Sequence, residues 1–137
     1  MKKGTIAALL TAICGLALLA AGAQVNVEVN QDWLKHVPAA ERDREKPDAG
    51  KPDAIAAGKR LFDDHCAQCH GADLMGRHGK PSLLTPAVRA MTGGELQWLL
   101  KNGDLRHGMP SWSSLPEPER WQIVAYVKDA GTATLGR

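Results

Sequence analysis

The string Cys66-Ala67-Gln68-Cys69-His70 constrains this chain more than any other feature. Two thiols stand about one helical turn apart, and an imidazole directly follows the second. The third cysteine, Cys14, lies in an apolar N-terminal stretch and offers no partner to the pair. A disulfide is the ordinary use of two cysteines in an oxidising compartment. A thioredoxin-type redox pair needs a βαβ context, and no strand with sustained alternation surrounds this one. A structural zinc site needs four ligands, and no second cysteine pair exists to complete it.

C-x-x-C-H is instead the attachment signature for c-type haem. Thiols one turn apart can each add to a vinyl group of the porphyrin. The residue after the second thiol then lies beneath the iron. Cys66 and Cys69 are therefore the expected thioether residues, and His70 the expected axial ligand. Composition agrees. Four Trp, one Tyr and one Phe supply few aromatics for a core, and a large flat cofactor would take their place.

An electron carrier keeps six ligands on its iron. The candidates for the sixth are Met75, Met91, Met109, His36, His78 and His107. Met75 is too close to His70 in sequence to reach the other haem face. Met91 stands just before a helix cap, where a methionine packs the core. Met109 sits in Arg106-His107-Gly108-Met109-Pro110, where glycine permits close approach and proline stiffens the turn. Met109 is the preferred ligand, with His107 as the bis-His alternative and His78 a remainder. A thioether opposite His70 favours Fe(II), raises the reduction potential, and blocks oxygen or peroxide from the iron. The second nitrogen of His70 should donate to a backbone carbonyl. The Gly79-Lys80-Pro81 loop can supply it, with Pro81 as support, although Pro81 also reads as an ordinary turn proline.

The rest of the chain is read around this site. Lys2 and Lys3, an uncharged stretch from Ile6 to Ala20, and Ala21-Gly22-Ala23 read as a secretory signal peptide, residues 1–23, cut after Ala23. The stretch is short for a spanning helix, and the alternative is an uncut membrane anchor. Cys14 has Thr11 three residues before it, not the Leu of a lipoprotein signal, and is expected to leave with the signal. Removing Lys2 and Lys3 from the 17 basic residues balances the 15 acidic ones, so nothing suggests a nucleic-acid surface. The expected location is the periplasm, with the membrane met only during export or if the signal stays.

Residues 24–52 are rich in mixed charge and proline, which argues for an extended or weakly ordered segment. A segment wrapped on the domain through Trp33 and Val37 is equally open. A first helix is expected from an N-cap at Asp53 to about Asp64. Thr92-Gly93-Gly94-Glu95 reads as a capping box for a second helix ending at Gly103. Ser114-Leu115-Pro116-Glu117 reads as another for a third helix ending at Gly131. Gly71 to Pro86 and Asp104 to Ser113 read as loops. The expectation is an all-α domain over residues 53–131, three to four short helices with long loops around one haem, and a tail over 132–137.

At these residues the sequence resembles the class I (monohaem) cytochrome c family in its small bacterial branch. The likeness rests on Gly58-Lys59-Arg60-Leu61-Phe62, Cys66-Ala67-Gln68-Cys69-His70-Gly71, Pro81, Gly108-Met109-Pro110 and Trp121-Gln122-Ile123-Val124-Ala125-Tyr126-Val127. It implies that the first and last helices cross closely, with Gly58 and Phe62 meeting Ile123 and Tyr126. Trp98, Trp112 and Arg106 are candidates to line the haem or meet its propionates, although Trp98 reads rather as core and Arg106 as a solvated charge. Residues 24–52 depart from the minimal domain of that family.

The resemblance implies a one-electron carrier with haem c cycling Fe(II)/Fe(III), and not an enzyme by itself. Its partners would be a dehydrogenase donor or an oxidase or reductase acceptor. One alternative is a cytochrome subunit docked to a quinoprotein-type dehydrogenase or an oxidase, with residues 24–52 as a tether. Another is a ligand-binding or enzymatic haem site from which Met109 is displaced.

Overall fold

A computed structural model describes residues 31–45 and 49–133. The signal segment 1–23 with Cys14, the leader up to residue 30, and tail residues 134–137 lie outside the described residues. The order is a 3-10 turn at Asp32–His36, α1 (Ala39–Arg42), α2 (Pro52–His65), α3 (Ala67–His70), α4 (Pro86–Ala90), α5 (Gly93–Asn102), a 3-10 turn at Leu105–His107, and α6 (Glu117–Ala133). No strand occurs among the described residues, so the all-α expectation stands.

Local chemistry sets the helix ends. Pro52 opens α2, where a missing N–H costs nothing. Asp53, expected to cap, sits in the first turn, where its charge meets the positive end of the helix dipole. Lys51 holds the cap position instead. Thr92 and Glu95 form the expected capping box on α5. Thr92 Oγ1 accepts from the Glu95 N–H at 3.1 Å, and the Glu95 carboxylate accepts from the Thr92 N–H at 2.9 Å.

The second expected box is not used that way. Helix α6 begins at Glu117, three residues beyond Ser114, and runs to Ala133. The Glu117 carboxylate accepts from Trp121 Nε1 at 3.3 Å and pairs with Arg44. Thr85 caps α4, a helix the sequence did not announce. It accepts from the Val88 N–H at 3.3 Å, and Pro86 stands in the first turn.

Helices α2 and α6 form the most extensive pairing of elements. Gly58 makes the crossing possible. A Cβ there would lie 1.8 Å from the Gln122 carbonyl oxygen and 3.1 Å from Tyr126 Cβ. One turn on, Phe62 is almost fully buried, and its ring lies 5.3 Å from that of Tyr126 at an angle of 59°. The close crossing that the resemblance implied is therefore present. Ile123, Val124 and Val127 on α6, Leu96 and Leu100 on α5, and Val88 and Met91 join the same core.

The described part of residues 24–52 is neither extended nor loose. It folds as the turn Asp32–His36 and α1, and it buries Trp33 and Val37. The Arg42 guanidinium donates to the Leu34 and Val37 carbonyls at 2.5 and 3.2 Å, closing this strap on itself. Thr92 Oγ1, besides capping α5, donates to the Arg42 carbonyl at 2.7 Å. Arg44 pairs with Glu41 and Glu117 and lies 5.7 Å from the ring centre of Trp121. Gly94 brings α5 against the strap, because a Cβ there would fall 1.8 Å from the Glu41 carbonyl oxygen.

Candidate haem site

Helix α2 delivers the motif. Its last turn ends at His65, the Cys66 N–H still bonds to the Phe62 carbonyl at 2.8 Å, and α3 carries Ala67 to His70. The two thiols are thus held at the junction of two helices. Cys66 is buried, Cys69 is exposed, and both are free. Burial pushes the Cys66 thiol up to about 12, and the neighbouring Cys69 adds to the rise.

The loop after α3 folds back beneath His70. The Gly76 N–H donates to the His70 carbonyl at 2.8 Å and the Arg77 N–H to the Cys69 carbonyl at 2.9 Å. His70 Nδ1 lies 3.2 Å from the Pro81 carbonyl oxygen, the contact the sequence assigned to this loop. With Nδ1–H donating there, Nε2 keeps its lone pair for a metal. Burial lowers the imidazole's affinity for a second proton; the Pro81 carbonyl opposes this, and the nearby Lys80 charge adds to the lowering.

Met109 is presented by a tightly closed loop. Asp104 and Met109 exchange both backbone hydrogen bonds, at 2.9 and 3.0 Å. The His107 N–H donates to the Asp104 carbonyl at 3.0 Å, and His107 Nδ1 lies 2.7 Å from the Asp104 carboxylate. Gly108 takes a left-handed conformation at φ 75°, which suits glycine. Lys80 Nζ reaches the His107 carbonyl at 3.2 Å, so the loops that carry Pro81 and Met109 touch.

Cys66, Cys69, His70, Pro81, Met109 and His107 all line one cavity of about 470 Å³. Most of its remaining wall is apolar, with Phe62, Leu83, Val88, Leu96, Leu99, Leu100, Ile123, Val124 and Val127 among the lining residues. That volume is in the range of cofactor sites. Two thiols, an imidazole with one nitrogen engaged, a thioether and an apolar lining fit a covalently held haem. Among the described residues no cluster of His, Cys, Asp and Glu forms an alternative metal site.

Other residues singled out from the sequence sort differently. Trp112 and Met91 line the cavity. Trp98 does not; it stacks on Trp33, with ring centres 6.3 Å apart and planes 7° from parallel. Met75, His78, His36 and Arg106 are exposed and outside the lining. The sequence reading missed His65 and Lys80 as lining residues, and it left Trp33 undecided. A tryptophan in an otherwise polar leader was the available signal for Trp33. His65, whose ring lies 5.3 Å from that of Trp112, had none.

The family described as cytochrome c oxidase, cbb3-type, subunit III matches residues 53–127. A cbb3-type cytochrome c oxidase subunit CcoP from Rubrivivax gelatinosus is 57% identical over 78 residues, covering 56% of this chain and 26% of that protein. A quinohemoprotein alcohol dehydrogenase ADH-IIG from Pseudomonas putida is 32% identical over 123 residues, covering 82% of this chain and 17% of that protein. A cbb3-type cytochrome c oxidase subunit FixP from Sinorhizobium medicae (strain WSM419) is 33% identical over 85 residues, covering 59% of this chain and 29% of that protein. The chain thus spans less than a third of the length of these relatives. Together with an all-α domain, a C-x-x-C-H helix junction and an apolar cavity, the match shows that the chain belongs to the cbb3-type cytochrome c oxidase subunit III family, as a cytochrome c electron-transfer domain whose cofactor is haem c.

Proposed function

We propose that this chain is an exported, periplasmic monohaem cytochrome c that carries one electron at a time. When bound, haem c supplies the Fe(II)/Fe(III) couple. Cys66 and Cys69 would hold it through thioethers, His70 and Met109 would supply the two ligands to its iron, and Pro81 would orient His70. The observation that carries this reading is the convergence of all five residues on one apolar cavity. The paired backbone bonds between Asp104 and Met109 support Met109 over His107, because they fix the backbone that presents the sulfur. His107 is exposed and engaged with Asp104.

The residues of the site have binding and orienting work, and no proton relay is needed for it. The apolar lining keeps water from the iron. The engaged Nδ1 of His70 fixes the ligand tautomer. With both His70 and Met109 engaged, the iron would have no place for a substrate, and the domain would serve redox partners.

The relatives named as oxidase subunits and the relative named as a quinohemoprotein dehydrogenase support a partner of oxidoreductase type. We place the domain between a dehydrogenase donor and an oxidase or reductase acceptor, either as a free shuttle or as a docked subunit. Among the described residues no helix is long and apolar enough to cross a membrane.

The test is the chain exported from a haem-competent host. One haem's added mass, a pyridine haemochrome of a two-thioether haem, and no carbon monoxide binding when reduced are the expected results. A mass equal to the bare polypeptide ends the proposal.

A further inference from the structure

We propose that residues 31–45 are a built-in wall of the haem cavity, and that Trp33 holds the iron's reduction potential up by keeping water out of it. The inference rests on the haem reading above and goes beyond it, because the strap lies outside the residues matched by the family.

Every other lining residue of the cavity lies between Phe62 and Val127; Trp33 alone comes from the strap. It is only 7% exposed, so its ring has the cavity on one side and the protein on the others. Trp98 backs it in a near-parallel stack at 6.3 Å. That stack fixes the indole plane from α5, the helix that also contributes Leu96, Leu99 and Leu100 to the lining.

The strap is bolted to the domain at separate points. The Thr92 hydroxyl holds the Arg42 carbonyl, Arg44 grips Glu117 and lies over Trp121, and α5 keeps glycine at 94 where the strap's backbone passes. Thr92, Gly94, Glu117 and Trp121 all belong to the matched domain. The domain therefore carries a prepared seat for the strap, at a distance in sequence from the C-x-x-C-H motif.

The physical effect follows from charge. The oxidised iron carries one more positive charge than the reduced iron. Water near it favours the oxidised state, and a low-dielectric wall favours the reduced state. Removing the indole opens one wall of a mostly apolar cavity and lowers the potential. Loosening the strap does the same with every cavity residue left in place.

The experiment uses the holoprotein and reads the midpoint potential by redox titration, with the haemochrome as an independent check on attachment. Trp33→Ala is expected to retain covalent haem and to shift the potential downward. Trp33→Phe, which keeps an apolar ring, is expected to restore most of the shift. The double variant Thr92→Val with Arg44→Ala leaves Trp33 in the chain and is expected to shift the potential in the same direction. It decides the matter if Trp33→Ala does not fold. Haem present with a potential unmoved in Trp33→Ala, or in the double variant alone where the first does not fold, overturns this inference. Haem absent from the unaltered protein overturns the functional reading instead.

Discussion

The Nδ1 atom of His70 lies 3.2 Å from the carbonyl oxygen of Pro81, eleven residues on in the chain. This contact ties the imidazole to a backbone atom of a loop anchored on both sides, by Lys80 Nζ on the His107 carbonyl and by the Ser82 hydroxyl on the Leu74 carbonyl. Gly76 is what lets the loop close. Its φ is +82°, and a Cβ there would come within 2.2 Å of the Lys80 carbonyl oxygen.

Gly76→Ala is therefore expected to push Lys80 and Pro81 outward and lengthen the bond to His70. A weaker acceptor makes the imidazole a poorer donor to iron, so Fe(III) loses more than Fe(II). The midpoint potential should rise while haem attachment is retained. An unchanged potential would show that the Pro81 carbonyl does not tune the ligand.

Met109→Ala should leave the haem covalently attached, because the thioethers do not depend on the sixth ligand. The potential should fall, and the reduced protein should bind carbon monoxide. His107→Ala should change neither. Should the two variants exchange these behaviours, the axial ligand is His107.

Gly58→Ala tests the crossing of α2 and α6. The added methyl meets a backbone carbonyl at 1.8 Å, and neither helix can yield without opening the core around Phe62 and Tyr126. A loss of about 3 kcal/mol is expected, at the upper end for overpacking. Denaturant unfolding of the holoprotein measures it.

Acid should loosen the strap at its exposed Arg44–Glu117 pair. Arg44 and then Trp121 hold the Glu117 carboxyl below its ordinary value of 4.5 through hydrogen bonds. A carboxylate lowered on folding adds stability that is complete above its ordinary range and lost as pH falls through the lowered value. The strap should thus be held at this point at neutral pH and become more susceptible to proteolysis as pH falls below the ordinary carboxylate range. Glu117→Gln should be more susceptible already at neutral pH, with less further change in acid.

What could be read from the sequence had short-range causes. The spacing of Cys66, Cys69 and His70 is dictated by one helical turn, and the Thr92–Glu95 box by the backbone groups of a single helix end. Both are legible without a fold. The Gly58 crossing needed a resemblance, because helical periodicity marks a core position but not its partner. Ser114 to Glu117 has the composition of a box, yet Glu117 serves Arg44, 73 residues away. A tertiary ion pair leaves no local signature to compete with a capping pattern. The strap was undecided for the same reason: its charges look solvated until Glu117, Trp121 and Thr92 are placed beside them.

Gly94 has a consequence for related sequences. The hydrogen that stands on its α-carbon in place of a Cβ sets the width of the passage through which the leader's main chain runs past α5. Any homologue with a larger residue there must send its leader by another route. That one position therefore sorts relatives into those able to wear such a belt and those whose α5 face lies open to some other neighbour.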